Sequence, residues 1–243
     1  GNYISGHYTT IVGGHSNTIS GSTFGFVGGG SGIDIIDSIY SSSIGGFNND
    51  ISGSSHSVIG GGYSNYITTA DGSFIGAGFD NTAEAPQSVI GGGVLNKTYG
   101  NGYSFIGGGE SNEVYSIFGA ILGGENNTVS GWGATIAGGE GNTASGQYSF
   151  IGGGQLNEAY SDYSYAFGKK AKITSSQSGA AVFTDGNDID ALSSGAHTAT
   201  LNFENGVYVQ TTSGLYVNGN PVMTGVNPYD EDTLQTVTDR GAS

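Results

Sequence analysis

The stretch Ser104–Asn112, Ser-Phe-Ile-Gly-Gly-Gly-Glu-Ser-Asn, returns at Ser149–Asn157 as Ser-Phe-Ile-Gly-Gly-Gly-Gln-Leu-Asn. Two of its features recur along the chain: a glycine pair and, three residues after the pair, an asparagine. The pairs are Gly13-Gly14, Gly28-Gly29, Gly45-Gly46, Gly61-Gly62, Ala77-Gly78, Gly92-Gly93, Gly108-Gly109, Gly123-Gly124, Gly138-Gly139 and Gly153-Gly154. The residues that follow them are Asn17, Gly32, Asn49, Asn65, Asn81, Asn96, Asn112, Asn127, Asn142 and Asn157, in steps of 15 to 17 residues. A fixed period over this many copies indicates a repeat architecture and excludes disorder.

A repeat of this length is built from strands and tight turns. Helical hairpin repeats need about 33 or more residues, and adjacent glycines would break a helix. One predicted strand of each coil carries an inward isoleucine: Ile59, Ile75, Ile90, Ile106, Ile121, Ile136 and Ile151. The other carries a smaller inward residue two positions after the asparagine: Ile19, Ile51, Ile67, Ala83, Thr98, Val114, Val129, Ala144 and Ala159. The sequence therefore predicts an all-β fold, a parallel β-solenoid of about ten coils stacked about 4.8 Å apart.

The glycine and asparagine columns have predicted structural roles. Both glycine columns are expected to take positive φ and to let neighbouring backbones approach closely. The asparagines are expected to occupy a left-handed corner and to form a ladder of amides along the axis. The clearest copies of these columns are Gly108, Gly109, Asn112, Gly123, Gly124, Asn127, Gly138, Gly139 and Asn142.

The composition excludes several functional classes. The chain has 243 residues with 48 Gly, 3 Pro and no Cys, and its formal net charge is −15. So little proline without a period of three excludes collagen, and the absence of cysteine excludes disulfides and thiolate chemistry. A strongly acidic chain is unsuited to binding nucleic-acid phosphates, and no apolar run is long enough for a transmembrane helix.

Apolar residues also precede the inward isoleucines, as Val58, Phe74, Val89, Phe105 and Phe150 do. These residues must lie on the outer face of the strand, and an exposed apolar column of this length predicts burial against other chains. We therefore expect a homo-oligomer, and specifically a homotrimeric fibre.

A further column, four residues after the inward isoleucine position of each coil, changes from aromatic to acidic side chains along the chain. It supplies the candidate binding residues. Phe47, Tyr63 and Phe79 form a predicted aromatic ladder, suited either to binding sugar rings or to packing between subunits. Glu110, Glu125 and Glu140 form an acidic ladder, screened by solvent or bridged by a cation such as Ca²⁺. Their spacing is close to that of the carboxylates of retaining glycosidases. Equivalent residues on a repetitive ridge provide no pocket and no distinct acid and base, so we predict no enzyme.

One metal site is also suggested. Asp185, Asn187, Asp188 and Asp190 form an oxygen-rich cluster that suits Ca²⁺. The spacing is not that of an EF-hand, so a tight turn with Asx caps is the alternative. The four histidines are scattered and indicate no zinc site or catalytic triad. No other cofactor is predicted.

The repeat resembles the head repeats of trimeric autotransporter adhesins, the YadA-like left-handed β-roll. The resemblance is carried by Ser164-Tyr165-Ala166-Phe167-Gly168, by the Ser-Val-Ile-Gly phrases at Ser57–Gly60 and Ser88–Gly91, and by the fifteen-residue step. It covers residues 1–168, and it implies a trimer. The chain departs from that pattern in doubling the glycine and in adding the asparagine column.

The following segments resemble bacteriophage tail fibre proteins. Those segments are Ala166–Lys172, Gly179–Gly186, Gly206–Val209 and Val217–Val222, and the phrase Asp232–Gly241 is similar to endings in marine and cyanobacterial phage fibres. In such fibres this module often precedes a self-cleaving chaperone domain, which is not visible in this sequence.

We predict three regions: a solenoid shaft at 1–168, a β module at 169–226 and an acidic linker at 227–243. The module is expected to contain strands at Ala199–Phe203, Val207–Gln210 and Leu215–Val217, with hairpin turns at the Asn-Gly pairs. The first residues open inside a repeat, so we expect the chain to belong to a longer protein.

The expected function is that of a structural fibre segment of a phage tail, located on the virion or otherwise extracellular. It would present or form a multivalent adhesion element for a host-surface polysaccharide or protein, without membrane insertion. The alternatives are an adhesin filament outside any virion and, third, a polysaccharide depolymerase. No Thr-x-Thr array recurs from coil to coil, which argues against an ice-binding solenoid.

Overall fold

The computed structural model describes residues 1–186 and 190–207, together with two short strands at 215–217 and 220–223. The chain divides into two compact units, Gly1–Glu204 and Asn205–Ser243. The first unit is a parallel β-solenoid of about 12 turns. Its described residues form strands, bridges and tight turns, and none of them is helical. The predicted fold class is confirmed.

Two sheets of thirteen short strands each run the length of the solenoid. Sheet 1 contains β1 (Tyr3–Ile4), β3 (Thr18–Ser20), β5 (Asp34–Ile36), β7 (Asp50–Ser52), β9 (Tyr66–Thr68), β11 (Thr82–Ala83), β13 (Lys97–Thr98), β15 (Glu113–Val114), β17 (Thr128–Val129), β19 (Thr143–Ala144), β21 (Glu158–Ala159), β23 (Ala171–Ile173) and β25 (Ala191–Leu192). Sheet 2 contains β2 (Thr10–Ile11), β4 (Phe26–Val27), β6 (Ser42–Ser43), β8 (Val58–Ile59), β10 (Phe74–Ile75), β12 (Val89–Ile90), β14 (Phe105–Ile106), β16 (Ala120–Ile121), β18 (Thr135–Ile136), β20 (Phe150–Gln155), β22 (Tyr165–Lys169), β24 (Ala181–Thr184) and β26 (Ala199–Asn202).

The coils from β2 to β19 follow the same path. A strand of sheet 2 leads to a single bridging residue, then to a strand of sheet 1, and a tight turn begins the next coil. Every strand pairs in parallel with its copies in the neighbouring coils, so that Phe74 lies between Val58 and Val89. The bridging residues form a third line of parallel pairs, the bridge column, which runs as His15, Ser31, Phe47, Tyr63, Phe79, Val94, Glu110, Glu125, Glu140 and Gln155.

The core is a thin layer of aliphatic side chains between the two sheets. Successive residues of a strand point to opposite faces, so Ile59 is fully buried while its neighbour Val58 lies on the outer face. All of the largest fully buried side chains are isoleucines. The isoleucines of sheet 2 face the inward residues of sheet 1, which are isoleucines such as Ile51 and Ile67 in the early coils and smaller residues such as Val129 and Ala144 in the later coils, all fully buried. Burial of an isoleucine contributes about 2–3 kcal/mol, and the predicted inward columns are confirmed.

The core is divided near its start by a serine. Val27 belongs to a small cluster with Ile19, whereas Ile59 belongs to the large cluster that continues up the stack. Between them, the inward residue of β6 is Ser43, which is fully buried and whose Oγ has no hydrogen-bond partner. This coil is therefore a weak point in the apolar column.

The predicted asparagine ladder is present and fully buried. Asn127 shows the pattern: its Nδ2 donates to Asn112 Oδ1 and to Gly139 O, both at 2.9 Å. Its Oδ1 accepts the backbone N–H of Asn142 at 3.1 Å and the Nδ2 of Asn142 at 2.9 Å. The same contacts join every asparagine of the column from Asn49 to Asn157. Each buried amide is thus satisfied by the coil above and the coil below.

The prediction that these asparagines occupy the left-handed corner is wrong. The residue with positive φ is the one before each asparagine, for example Ser111 at 54° and Asn126 at 55°. The chain reverses at that residue, and the asparagine that follows is then aimed inward. Only from the inward position can its amide reach the coils on either side.

The predicted phase of the second coil is also wrong by one residue. Ile33 rather than Gly32 takes the asparagine position, and Ser31 bridges His15 and Phe47. Three consecutive glycines at 28–30 leave the pair ambiguous in the sequence, whereas burial of Ile33 in the core resolves it. Because Ile33 has no amide, the ladder is interrupted there.

The two glycine columns differ in what they require. At Gly109 φ is +96°, and a Cβ atom would lie 2.1 Å from the carbonyl oxygen of Gly124 in the next coil. At Gly123, in the first column, a Cβ atom would meet nothing within 4 Å. The close approach predicted for both columns is therefore severe in the second, whereas the tightest contact in the first is 3.2 Å, from a Cβ at Gly92 to Ala77 O, and an alanine is tolerated there at position 77.

The two sheets continue beyond the end of the repeat phrase at residue 168. Strands β23 to β26 join them in the same parallel order. The backbone N–H of Ala171 donates to Asn157 Oδ1 at 2.9 Å and so takes the next place above the ladder. Residues that the sequence assigned to a separate module at 169–226 thus extend the solenoid to Asn202.

In the second unit the structure describes two strands. They are β27 (Leu215–Val217) and β28 (Asn220–Met223), paired antiparallel as expected for a hairpin around Asn218-Gly219. Most of the strand predicted at Val207–Gln210, and the predicted linker at 227–243, lie outside the described residues.

Candidate functional site

The aromatic ladder predicted in the bridge column is confirmed in its geometry. Phe47 and Tyr63 stack with ring centroids 5.1 Å apart, and Tyr63 and Phe79 stack at 5.2 Å. The ring planes are within 11° of parallel, so the two faces of Tyr63 are covered by its neighbours. This arrangement leaves ring edges on the surface. A sugar that packs on an aromatic face has access only to the two ends of this ladder.

Further up the same column lies the acidic ladder. Glu110, Glu125 and Glu140 follow one another through parallel bridges, and all three are exposed. Asn126 Nδ2 donates to Glu125 Oε1 at 3.1 Å, and Gln155 Nε2 donates to Glu140 Oε2 at 2.8 Å. These amides and the solvent screen the like charges.

The structure reveals aromatic columns that the sequence reasoning missed. They lie at the turn between the sheets, and all of their members except Trp132 occupy the residue of positive φ that precedes sheet 2. The first corner ladder consists of Tyr8, Phe24, Tyr40 and His56, and the second consists of Tyr103, Phe118, Trp132, Tyr148 and Tyr163. The signal in the sequence is an aromatic residue directly before the serine of the repeat phrase, as in Tyr103-Ser104-Phe105.

Most corner rings stack face to face, and the tryptophan is the exception. In the second corner ladder, Tyr148 and Tyr163 stack at 5.3 Å with an interplanar angle of 14°. Trp132 stands at 87° to Phe118 and at 83° to Tyr148, with centroid distances of 5.5 and 4.7 Å. Its side chain is 39% exposed. The solenoid thus presents one indole whose orientation differs from that of its neighbours.

Next to the corner ladders lies the outer face of sheet 2, which is largely apolar. Phe26, Phe74 and Phe105 are each about two-fifths exposed there, and Tyr165 slightly more. The outward residues of β8, β10, β12, β14 and β16 are apolar in five consecutive coils, and an apolar surface of this kind marks an interaction site in soluble proteins.

The outer face of sheet 1 carries paired phenols and carboxylates. Tyr115 donates its hydroxyl hydrogen to Glu113 Oε2 at 2.7 Å, and this bond raises the pKa of Tyr115 to about 12. Burial, followed by the charge of Glu158, raises the pKa of Tyr160. Glu158 also forms a salt bridge with Lys172.

One carboxylate on sheet 1 is poorly accommodated. Burial, followed by the charge of Asp34 in the coil below, raises the pKa of Asp50 to about 6. Its Oδ1 is buried without a hydrogen-bond partner in the described structure. Ionised Asp50 therefore opposes folding near neutral pH.

The predicted Ca²⁺ cluster is described only in part. Asp185 Oδ2 accepts the backbone N–H of Glu204 at 2.6 Å, and Asp190 is exposed. Asn187 and Asp188 lie outside the described residues, so the cluster stays a prediction. Elsewhere in the described ranges, no three His, Asp or Glu side chains are grouped as a metal site requires.

Neither a known protein family nor a curated protein matches this chain. Within the described residues there is no helix long and apolar enough to cross a membrane.

Proposed function

We propose that the chain is a structural segment of a homotrimeric fibre on a virion appendage, of the phage tail fibre type. The observation that carries this proposal is the pair of continuous thirteen-stranded parallel sheets, held along the axis by a buried amide ladder. About twelve coils at about 4.8 Å each give the solenoid unit a length of roughly 60 Å. Such a stack suits reach and stiffness rather than turnover.

The trimer is supported by the outer face of sheet 2. Phe26, Phe74 and Phe105 lie on that face at three separate levels of the stack. Their partial exposure is costly for a single chain in water, and packing between copies would remove it. A trimer would also repeat every surface column three times, so that weak contacts add through effective concentration.

The fibre type is supported by the sequence resemblance of the segments after residue 166 to phage tail fibres. The alternative is an extracellular or cell-surface adhesin filament, which the repeats resemble equally well. In either case we expect adhesion to a host-surface polysaccharide or protein and no enzymatic activity, since the carboxylates of the acidic ladder occupy equivalent exposed positions.

Labelling of native material distinguishes the two assignments. Gold-labelled antibody fragments raised against the solenoid are applied to phage particles and to cells from the source material and imaged by electron microscopy. We expect label on a tail appendage. Label on cell-surface filaments with bare particles would overturn the virion assignment in favour of the adhesin, and label on neither would overturn both.

Hydrolysis is tested separately with the purified chain and host polysaccharide. We expect no release of reducing ends. Release that the Glu125→Gln variant abolishes would show a depolymerase instead.

A further inference from the structure

The orientation of Trp132 follows from the residue after it. Gly133 occupies the positive-φ corner position with φ +64° and carries no ring there. Phe118 and Tyr148, in the coils below and above, are therefore separated by two coil spacings, roughly 9.6 Å. A ring perpendicular to both fills that gap, as its centroid distances of 5.5 and 4.7 Å show.

This arrangement leaves the indole faces out of the stack. Tyr103 and Phe118 cover each other face to face, as do Tyr148 and Tyr163. Trp132 instead directs its edges at its two neighbours and keeps 39% of its surface exposed. Inside the second corner ladder, Trp132 is the ring whose two faces no other ring of the ladder covers, whereas the end rings Tyr103 and Tyr163 each have one face outside the stack.

Polar side chains lie above the indole along the axis. Gln147 and Asp162 occupy the same turn position as Trp132, one and two coils above it, as the backbone bonds from Tyr148 N to Trp132 O and from Tyr163 N to Gln147 O show. Asp162 Oδ1 accepts the backbone N–H of Gln147 at 2.8 Å, which holds the carboxylate towards the indole side. The side-chain amide of Gln147 is exposed and makes no hydrogen bond to the described residues.

We propose that Trp132, Gln147 and Asp162 form a binding site for a neutral carbohydrate chain. The hydrogens on one face of a pyranose ring carry partial positive charge and match the electron-rich face of the indole. The free amide of Gln147 provides donors and an acceptor for sugar hydroxyls, and Asp162 provides a charged acceptor. The net charge of −15 opposes acidic glycans, so the site selects uncharged sugars.

This inference deepens the adhesion part of the proposed function and rests on it, because a single shallow site needs several copies to hold a surface. The two are tested by different readouts. Antibody labelling locates the fibre, whereas the glycan site is measured on the purified, assembled protein.

The chain contains a single tryptophan, so its fluorescence reports this site alone. The purified protein is titrated with maltotetraose, cellotetraose, a galactose tetrasaccharide and an N-acetylglucosamine tetrasaccharide, and with a polygalacturonate oligomer as the acidic comparison. We expect at least one neutral oligosaccharide to shift the emission saturably and to protect Trp132 from acrylamide quenching. The acidic oligomer should bind more weakly.

Variants separate binding from folding. By isothermal titration, Trp132→Leu should weaken the tightest oligosaccharide about tenfold or more, and Gln147→Ala about fivefold. Tyr40→Leu is the matched control, because it removes an exposed corner ring whose faces are already stacked. It should leave the affinity unchanged, and circular dichroism and light scattering should show all three variants assembled.

Three results would overturn the glycan site: no neutral oligosaccharide shifts the emission, Trp132 is shielded from acrylamide in the assembled protein, or Trp132→Leu binds as the unaltered chain does. None of these results would remove antibody label from a tail appendage. The failure of the glycan site is therefore distinguishable from the failure of the fibre function.

Discussion

The asparagine ladder predicts that the loss of one buried side-chain amide strongly destabilises the solenoid. In Asn127→Ala, the buried backbone N–H of Asn142 loses its acceptor, Asn127 Oδ1. An orphaned buried donor costs about 1–3 kcal/mol, and the lost side-chain bonds to Asn112 Oδ1 and Gly139 O add about 1 kcal/mol each. We expect the free energy of unfolding to fall by about 4 kcal/mol.

The neighbouring residue supplies a control. Asn126 precedes the ladder residue, has φ 55°, and uses its amide only for an exposed contact with Glu125. Asn126→Gly relieves the backbone strain and should change the stability by no more than about 1 kcal/mol. Both variants alter an asparagine in the same coil, so the comparison isolates the buried amide.

Unfolding in guanidinium chloride, followed by far-UV circular dichroism, measures the loss. Repeat proteins can open locally, so amide hydrogen exchange of the peptide that contains Asn142 is measured as well. We expect faster exchange there in Asn127→Ala and unchanged exchange near the first coils. A stability within about 1 kcal/mol of the unaltered chain, with Asn142 still protected, would refute the role assigned to the ladder.

Four further substitutions test the glycine columns, the core and the titration of Asp50. Gly124→Ala places a Cβ atom 2.2 Å from the carbonyl oxygen of Gly139 at φ +98°, and it should lower the free energy of unfolding by about 3 kcal/mol or more. Gly123→Ala places its Cβ atom in open space and should cost less than about 1 kcal/mol in the same denaturation assay. Equal losses of stability would contradict the difference between the columns. Ser43→Val removes a buried, unpaired hydroxyl at a position where the adjacent coils carry valine and isoleucine. It should raise the melting temperature and increase the free energy of unfolding by about 1 kcal/mol. A lower melting temperature would show that valine overpacks the core. The raised pKa of Asp50 means that the native state holds the proton more tightly than the unfolded chain, so stability falls as the pH rises from 3.8 through about 6. Asp50→Asn should therefore gain on the order of 1 kcal/mol over the unaltered chain at pH 8 and nothing at pH 3, and a pH-independent difference would contradict this.

The period of the sequence was sufficient to predict the solenoid, because register in a parallel stack follows from the repeat itself. Columns such as Ile106, Ile121 and Ile136 are spaced by one coil, and alternation along each strand assigns them to the interior. The amide ladder was predictable for the same reason. Its hydrogen bonds require an asparagine at the same position in successive coils.

Conformation within a coil was harder to predict. The residue of positive φ that precedes the ladder asparagine is Ser111 in one coil and Leu95 in another, so no single residue type marks this turn in the sequence. Gly28–Gly30 concealed the phase of the second coil until burial of Ile33 was considered. The continuation of the solenoid past residue 168 could not be predicted, because no glycine pair marks it in the sequence. The sheets are extended there by backbone hydrogen bonds.

The candidate binding residues were only partly predictable. The ladder of Phe47, Tyr63 and Phe79 was visible because three consecutive copies share an aromatic residue. The corner ladders are interrupted by Gly72 and Gln87, and Trp132 lies one residue away from the phase of its neighbours. Ring orientation, which distinguishes an available face from a covered one, depends on the packing of Gly133 and is not encoded in any spacing.

The proposed function requires that three copies of this solenoid assemble into a fibre segment. Size-exclusion chromatography with multi-angle light scattering tests it most directly. We predict a single species with three times the chain mass of 24.5 kDa, in which Phe26, Phe74 and Phe105 are buried between copies. A folded, monodisperse monomer of 24.5 kDa would contradict the account.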